Sequence, residues 1–197
     1  MVRLPAPRRR RQLLEVARRM FAEDGFHPTS MNEIAEAAGV TKPVLYQHFR
    51  SKRDLFHEVL DDVGALLLDE ITKATTAAAG PREQVELGFR AYFRFVAEQG
   101  DAFQVLFGDG ARRDPEFAGQ VDQVEGVIAE AIATLIDVEG LSAEGRLVFA
   151  HGIVGMAEAT GRRWRAQGAE GDPDRLAQAM ADLAWRGLRG VRGGSQG

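Results

Sequence analysis

The 197 residues include no cysteine, only two tryptophans and two tyrosines, and no apolar run near the ~18 residues that a membrane span needs. Without cysteine there is no disulfide, no thiolate zinc site and no cysteine nucleophile. The basic start, MVRLPAPRRRRQ, is followed by no apolar signal region, so a cytoplasmic location away from membranes is expected. P-loop, G-x-G-x-x-G and H-E-x-x-H patterns are all missing, which removes the commonest nucleotide and metalloprotease signatures. The carboxylate pairs Asp61-Asp62 and Asp69-Glu70 lack the Glu-x-x-His partners of a di-iron bundle. His57 and Asp61 stand at metal-ligand spacing but have no third ligand nearby, so they read as a solvated face. The expectation is a chain that is not an enzyme and needs neither metal nor cofactor.

What is present is apolar, charged and unevenly distributed. A hydrophobic content of 45% suffices for a sizeable core, and 27% charged residues supply a soluble surface. Residues 1–60 carry eleven basic against seven acidic side chains, a balance of +4; the remainder carries 14 against 22, or −8, which gives the overall −4. A basic first third on an acidic body points to a polyanion met at one end. The run Arg8–Arg11 reads as a basic arm ahead of the first helix, suited to DNA phosphates or a minor groove.

Nearly every periodic segment has the helical spacing, and no alternating strand pattern is seen. RRQLLEVARRMFAEDG places Leu13, Leu14, Ala17, Met20 and Phe21 on one stripe. In SMNEIAEAAG, Ser30 and Glu33 form a capping box and Gly39 supplies a left-handed stop. Thr41 then reads as an N-cap with Pro43 in the first turn, and Ser51 with Asp54 opens a long helix that Gly80 and Pro81 end. Further helices are expected over about 82–99, DAFQVLF, 115–137, 142–167 and 172–188, with GDGARRDP as a loop. The fold class is therefore all-α, with about nine helices. The expected divisions are 1–52 as a DNA-binding head with its basic arm, 53–190 as a helical body, and 191–197 as a disordered tail.

A helix, a tight glycine turn and a second short helix within about twenty residues form a helix-turn-helix, whose second helix enters the major groove. Val40, Leu45 and Phe49 account for its inward face. Lys42, Pro43, Val44, Gln47 and His48 face outward: a cation for guanine or phosphate, apolar contact for a thymine methyl, an amide for adenine and an imidazole for phosphate. Tyr46 can reach a phosphate with its hydroxyl. Lys52 adds its charge at the start of the next helix, where backbone N–H groups also favour an anion.

The stretch FAEDGFHPTSMNEIAEAAGVTKPVLYQHFRSKRDLF resembles the N-terminal domain of the TetR family of bacterial transcriptional repressors, through Phe-x-x-x-Gly, Thr29, Ile34-Ala35, Ala38-Gly39-Val40, Leu45-Tyr46, His48-Phe49, Lys52 and Leu55. Many members carry a small hydroxyl residue or glycine around Pro43 and Val44, so the chain departs from the family pattern at these two positions and the resemblance does not carry over the bases read. The end of the chain, from Arg162 to Gly190, is similar to the family's last two helices. The resemblance implies a homodimer on a palindromic DNA operator, released by a small effector held in the body. DNA-contacting residues are then Thr29, Thr41, Lys42, Pro43, Val44, Tyr46, Gln47, His48 and Lys52.

Leu176, Met180, Leu183 and Ala184 form an apolar stripe, and Gly155 and Ala159 thin the preceding helix, so these six are the expected dimer contacts. An apolar effector suits a body rich in Phe, Val, Leu and Ile. Phe103, Phe107, Phe149 and Trp164 are candidates to line its site, with Arg94 and His151 as polar anchors; for His151, an interior position is the default. A helical small-molecule or lipid carrier, or a helical-bundle enzyme without DNA function, is the alternative.

Overall fold

The three-and-four spacing of apolar residues is realised as helix throughout. The computed structural model describes residues 5–191, and among these all regular secondary structure is α-helical. The helices are α1 (Ala6–Asp24), α2 (Met31–Ala37), α3 (Lys42–His48), α4 (Lys52–Thr76), α5 (Pro81–Glu98), α6 (Gly100–Phe107), α7 (Asp109–Arg113), α8 (Pro115–Leu135), α9 (Ala143–Ala166) and α10 (Pro173–Gly190). That is ten among the described residues. The additional one is α7, a single turn within the segment read as a loop. Arg8–Arg11 lie inside α1 rather than ahead of it, because Pro7 occupies its first turn and starts the helix earlier. Of the tail, Val191 caps α10 and residues 192–197 lie outside the described part.

Contacts divide the chain into two units. One comprises the residues up to Val63 with Asp101–Val121; the other comprises Gly64–Gly100 with the residues from Asp122 onward. The division does not fall after residue 52, because the first turns of α4 belong with the head and recruit α6, α7 and the start of α8. Phe117, fully buried, stands 4.4 Å from the Phe56 ring and 4.7 Å from Phe26. Burying one such ring contributes about 1.5–3 kcal/mol. The Gln120 amide donates to the His57 carbonyl (2.9 Å) and to Asp61 (2.7 Å), so half-buried His57 and exposed Asp61 are bridged to α8. His27 meets Asp114 at 2.9 Å, and Arg53 pairs with Glu116.

In the second unit α5 packs chiefly along α10 and also on α9. Ser142 and Asp172 cap α9 and α10 through Gly145 N–H (3.1 Å) and Asp174 N–H (2.9 Å). Trp164 lies 6.5 Å from Phe93, and its indole N–H donates to the Glu170 carbonyl at 2.8 Å. Gly64 of α4 lies so close to α8 that an added Cβ would stand 2.6 Å from a Val124 methyl.

Candidate nucleic-acid interface

The helix-turn-helix is set by local chemistry. In the capping box, Glu33 N–H donates to Ser30 Oγ at 3.3 Å and Ser30 N–H donates to Glu33 Oε2 at 2.8 Å. Hydrogen bonds from the Ser30 side chain and the Ser30 N–H hold the Glu33 carboxyl below its usual range, with a smaller contribution from the nearby Lys52 charge. At the other end of α2, Val40 N–H bonds to the Ala35 carbonyl and Gly39 N–H to the Glu36 carbonyl, both at 2.9 Å. This 6→1 and 5→2 pairing is a Schellman stop, and it puts Gly39 at φ +65°, where a Cβ costs energy. The Gln12 amide of α1 reaches the Ala38 carbonyl at 3.3 Å and steadies the same turn.

α3 is held by two side chains one turn apart, Leu45 and Phe49, both buried. Arg10 of α1 lies 4.9 Å over the Phe49 ring and pairs with Glu58. With the inner face so fixed, Thr41, Lys42, Pro43, Tyr46 and Gln47 are exposed, and Val44 and His48 are half-buried. Thr41 is the N-cap by position, but its hydroxyl makes no capping bond. Tyr46 is 44% exposed, and Lys42 Nζ lies 5.9 Å from its ring centre. Neither the Lys42 nor the Gln47 side chain has a hydrogen bond among the described residues. The face is a short row of unspent donors and flat apolar edges.

Two of the expected contact residues are elsewhere. Thr29 is buried, 2% exposed, and its hydroxyl donates to the Gly25 carbonyl at 2.7 Å; it braces the turn between α1 and α2. Lys52 is half-buried, and its ammonium donates to the carbonyls of Phe26 (2.7 Å), His27 (3.1 Å) and Thr29 (2.9 Å). Residue identity revealed the charge on Lys52 but not the carbonyls that take it up.

The six candidate effector residues are divided between the two units. Phe103 and Phe107 are buried in the first unit, their rings 5.1 Å apart. Arg94, Phe149, His151 and Trp164 belong to the second. His151 is exposed rather than interior, because it falls on the outer side of α9. Phe149 is half-buried. Arg94 makes a two-bonded pair with Asp174, at 3.0 and 2.8 Å, and its hydrogen bonds hold the Asp174 carboxyl low. It also lines a groove of about 580 Å³ between α4 and α5, with Leu66, Leu87, Arg90 and Phe95 among its walls. Of the dimer candidates, Gly155, Ala159 and Leu183 are exposed, and Leu176 and Met180 are half-buried. Ala184 is buried within its own chain, because it falls on the inner stripe of α10 with Ala177 and Ala181.

These features define a DNA-binding helix-turn-helix protein with an all-helical body. A family model described as bacterial regulatory proteins, tetR family, matches residues 13–59, and one described as tetracyclin repressor-like, C-terminal domain, matches residues 81–187. The HTH-type transcriptional activator FasR of Mycolicibacterium smegmatis is 32% identical over 190 residues, covering 96% of this chain and 87% of the relative. The HTH-type transcriptional repressor KstR2 of the same organism is 35% identical over 105 residues, 53% of this chain and 51% of KstR2. The transcriptional regulator FadR from Bacillus subtilis, solved in complex with stearoyl-CoA, shares the fold with a TM-score of 0.73 at 19% identity, over 92% of this chain and 99% of FadR. The chain belongs to the TetR family and is a ligand-responsive, helix-turn-helix transcriptional regulator.

Proposed function

We propose that the chain binds a palindromic operator as a homodimer and represses transcription until a small, largely apolar effector releases it. The exposed row on α3, around buried Leu45 and Phe49, carries the DNA part of this reading. Lys42, Gln47, Pro43 and Val44 read base edges, and Thr41, Tyr46 and His48 meet phosphates. Two such heads need a two-fold contact, and the outer faces of α9 and α10 suit one. There Val148 is 64% and Leu183 58% exposed, beside small Gly152, Gly155 and Ala159. An exposed apolar face of this kind marks an interaction site.

For the effector, the apolar composition of the body supports a hydrophobic ligand, and an acyl chain is the class we favour, since FadR, of the same fold, was solved with stearoyl-CoA. The second reading is activation, which the name of the nearly full-length relative FasR carries; repression is the name of KstR2. The test uses a duplex selected from a random library by the purified chain. Stearoyl-CoA, but not coenzyme A alone, should raise the melting temperature and release the duplex, and deleting the gene should raise transcripts beside that site. A ligand that stabilises the protein without changing DNA affinity would sink the switch, and falling transcripts on deletion would establish activation.

A further inference from the structure

The ammonium of Lys52 has three N–H donors. All three are met by backbone carbonyls of one turn, those of Phe26, His27 and Thr29, at 2.7–3.1 Å. Its Nζ also sits 4.3 Å from the centre of the Phe26 ring. Among the described residues no backbone N–H outside the regular helices serves any of these three carbonyls. The turn between α1 and α2 therefore depends on a side chain from the first residue of α4. Thr29, through the Gly25 carbonyl, fixes the same turn from within.

The clasp joins the two ends of the segment 30–51, which contains the whole of α2, the Gly39 turn and α3. It sets the distance between the start of α2 and the start of α4, and α3 is suspended between them. Closing a loop in this way removes conformational freedom that α3 would otherwise lose on meeting DNA. We propose that Lys52 is a positioning residue for DNA binding: it acts by holding the recognition helix at its angle, not by contacting phosphate.

Arginine tests the assignment, because the two cations differ in shape. A phosphate contact accepts arginine readily, whereas a compact cage of three carbonyls fits a tetrahedral ammonium and not a planar fork. Removal of a phosphate contact also lowers the slope of log K against log salt by about one, whereas loss of positioning leaves it unchanged. With a fluorescent duplex selected from a random library by the wild-type chain, both Lys52→Arg and Lys52→Met should weaken binding about tenfold or more at unchanged salt slope. A Lys52→Arg variant of wild-type affinity, a Lys52→Met variant of wild-type affinity, or a slope lower by about one would each overturn the proposal.

A measurement on the unaltered chain settles the matter even if the variants fold poorly. The sequence has three lysines, Lys42, Lys52 and Lys73. Acylation by an N-hydroxysuccinimide ester, read by mass spectrometry, should label Lys73 with or without the duplex and Lys42 only without it. Lys52 should be protected in both states. Lys52 labelled in the free protein and protected only by DNA is the result that assigns it to phosphate.

Discussion

Leu183→Glu is the sharpest test of the proposed dimer. Leu183 is 58% exposed in the single chain, on the outer face of α10. Glutamate and leucine have similar helix propensities, and exposed substitutions cost within about 0.5 kcal/mol, so the fold of the chain itself should be unaffected. In a dimer formed by α9 and α10 the same change puts one carboxylate from each copy into an apolar contact. An unpaired buried charge costs about 3 kcal/mol or more, hence roughly 6 kcal/mol for two copies. At 1.4 kcal/mol per decade, that weakens the dimer by about 10⁴-fold. Leu183→Ala removes only apolar burial, about 1–2 kcal/mol per copy, and should weaken the dimer without abolishing it. Sedimentation over a concentration series gives both constants. Melting curves taken where wild type and variant are both monomeric keep mass-action stabilisation out of the comparison. A glutamate variant with the wild-type dimer constant would place the interface elsewhere, and a monomer melting far below the wild-type monomer would put Leu183 in the chain's own core.

The remaining predictions concern the head and the packing of α4 on α8. Gly39→Ala should destabilise by about 1–2 kcal/mol through left-handed backbone alone, since a Cβ there meets nothing within 4 Å, and Gly39→Asn should cost less, as read by urea titration. Gly64→Ala acts by overlap with Val124 instead, so Val124→Ala should rescue it while doing nothing for Gly39→Ala; equal rescue of both would refute the distinction. Gln47→Ala should relax preference at one base pair per half-site by about 1–3 kcal/mol, measured by repeating the duplex selection; a uniform loss over all sequences would make Gln47 a backbone contact. The Glu33 carboxyl is held below its ordinary 4.5 by its bonds to Ser30, so the capping contribution is complete above that value and is lost as pH falls through the lower, folded-state one. Glu33→Gln should flatten acid unfolding in that window, and an unchanged profile would show the box to be idle.

Much of this head was legible in the sequence because its chemistry is local. Ser30 with Glu33, Gly39 at the stop and Leu45 with Phe49 one turn apart each specify geometry within a few residues, and the structure bears each of them out. The helical class followed from periodicity for the same reason. Thr29, Lys52 and Ala184 have surroundings other than those expected, because these depend on groups far along the chain or on the packed side of a helix. Thr29 looks like an exposed hydroxyl until burial turns it inward. Lys52 looks like a free cation until α4 begins beside the carbonyls of Phe26, His27 and Thr29. His57 gains its partner, Gln120, from α8, more than sixty residues on. Sequence alone thus determined where helices start and stop and which faces are apolar, since those depend on neighbours at i+3 and i+4. Only tertiary structure decided which polar groups were spent inside the head and which, like Lys42 and Gln47, were left exposed, because a hydrogen bond between distant residues exists only once packing has brought donor and acceptor within 3 Å or so.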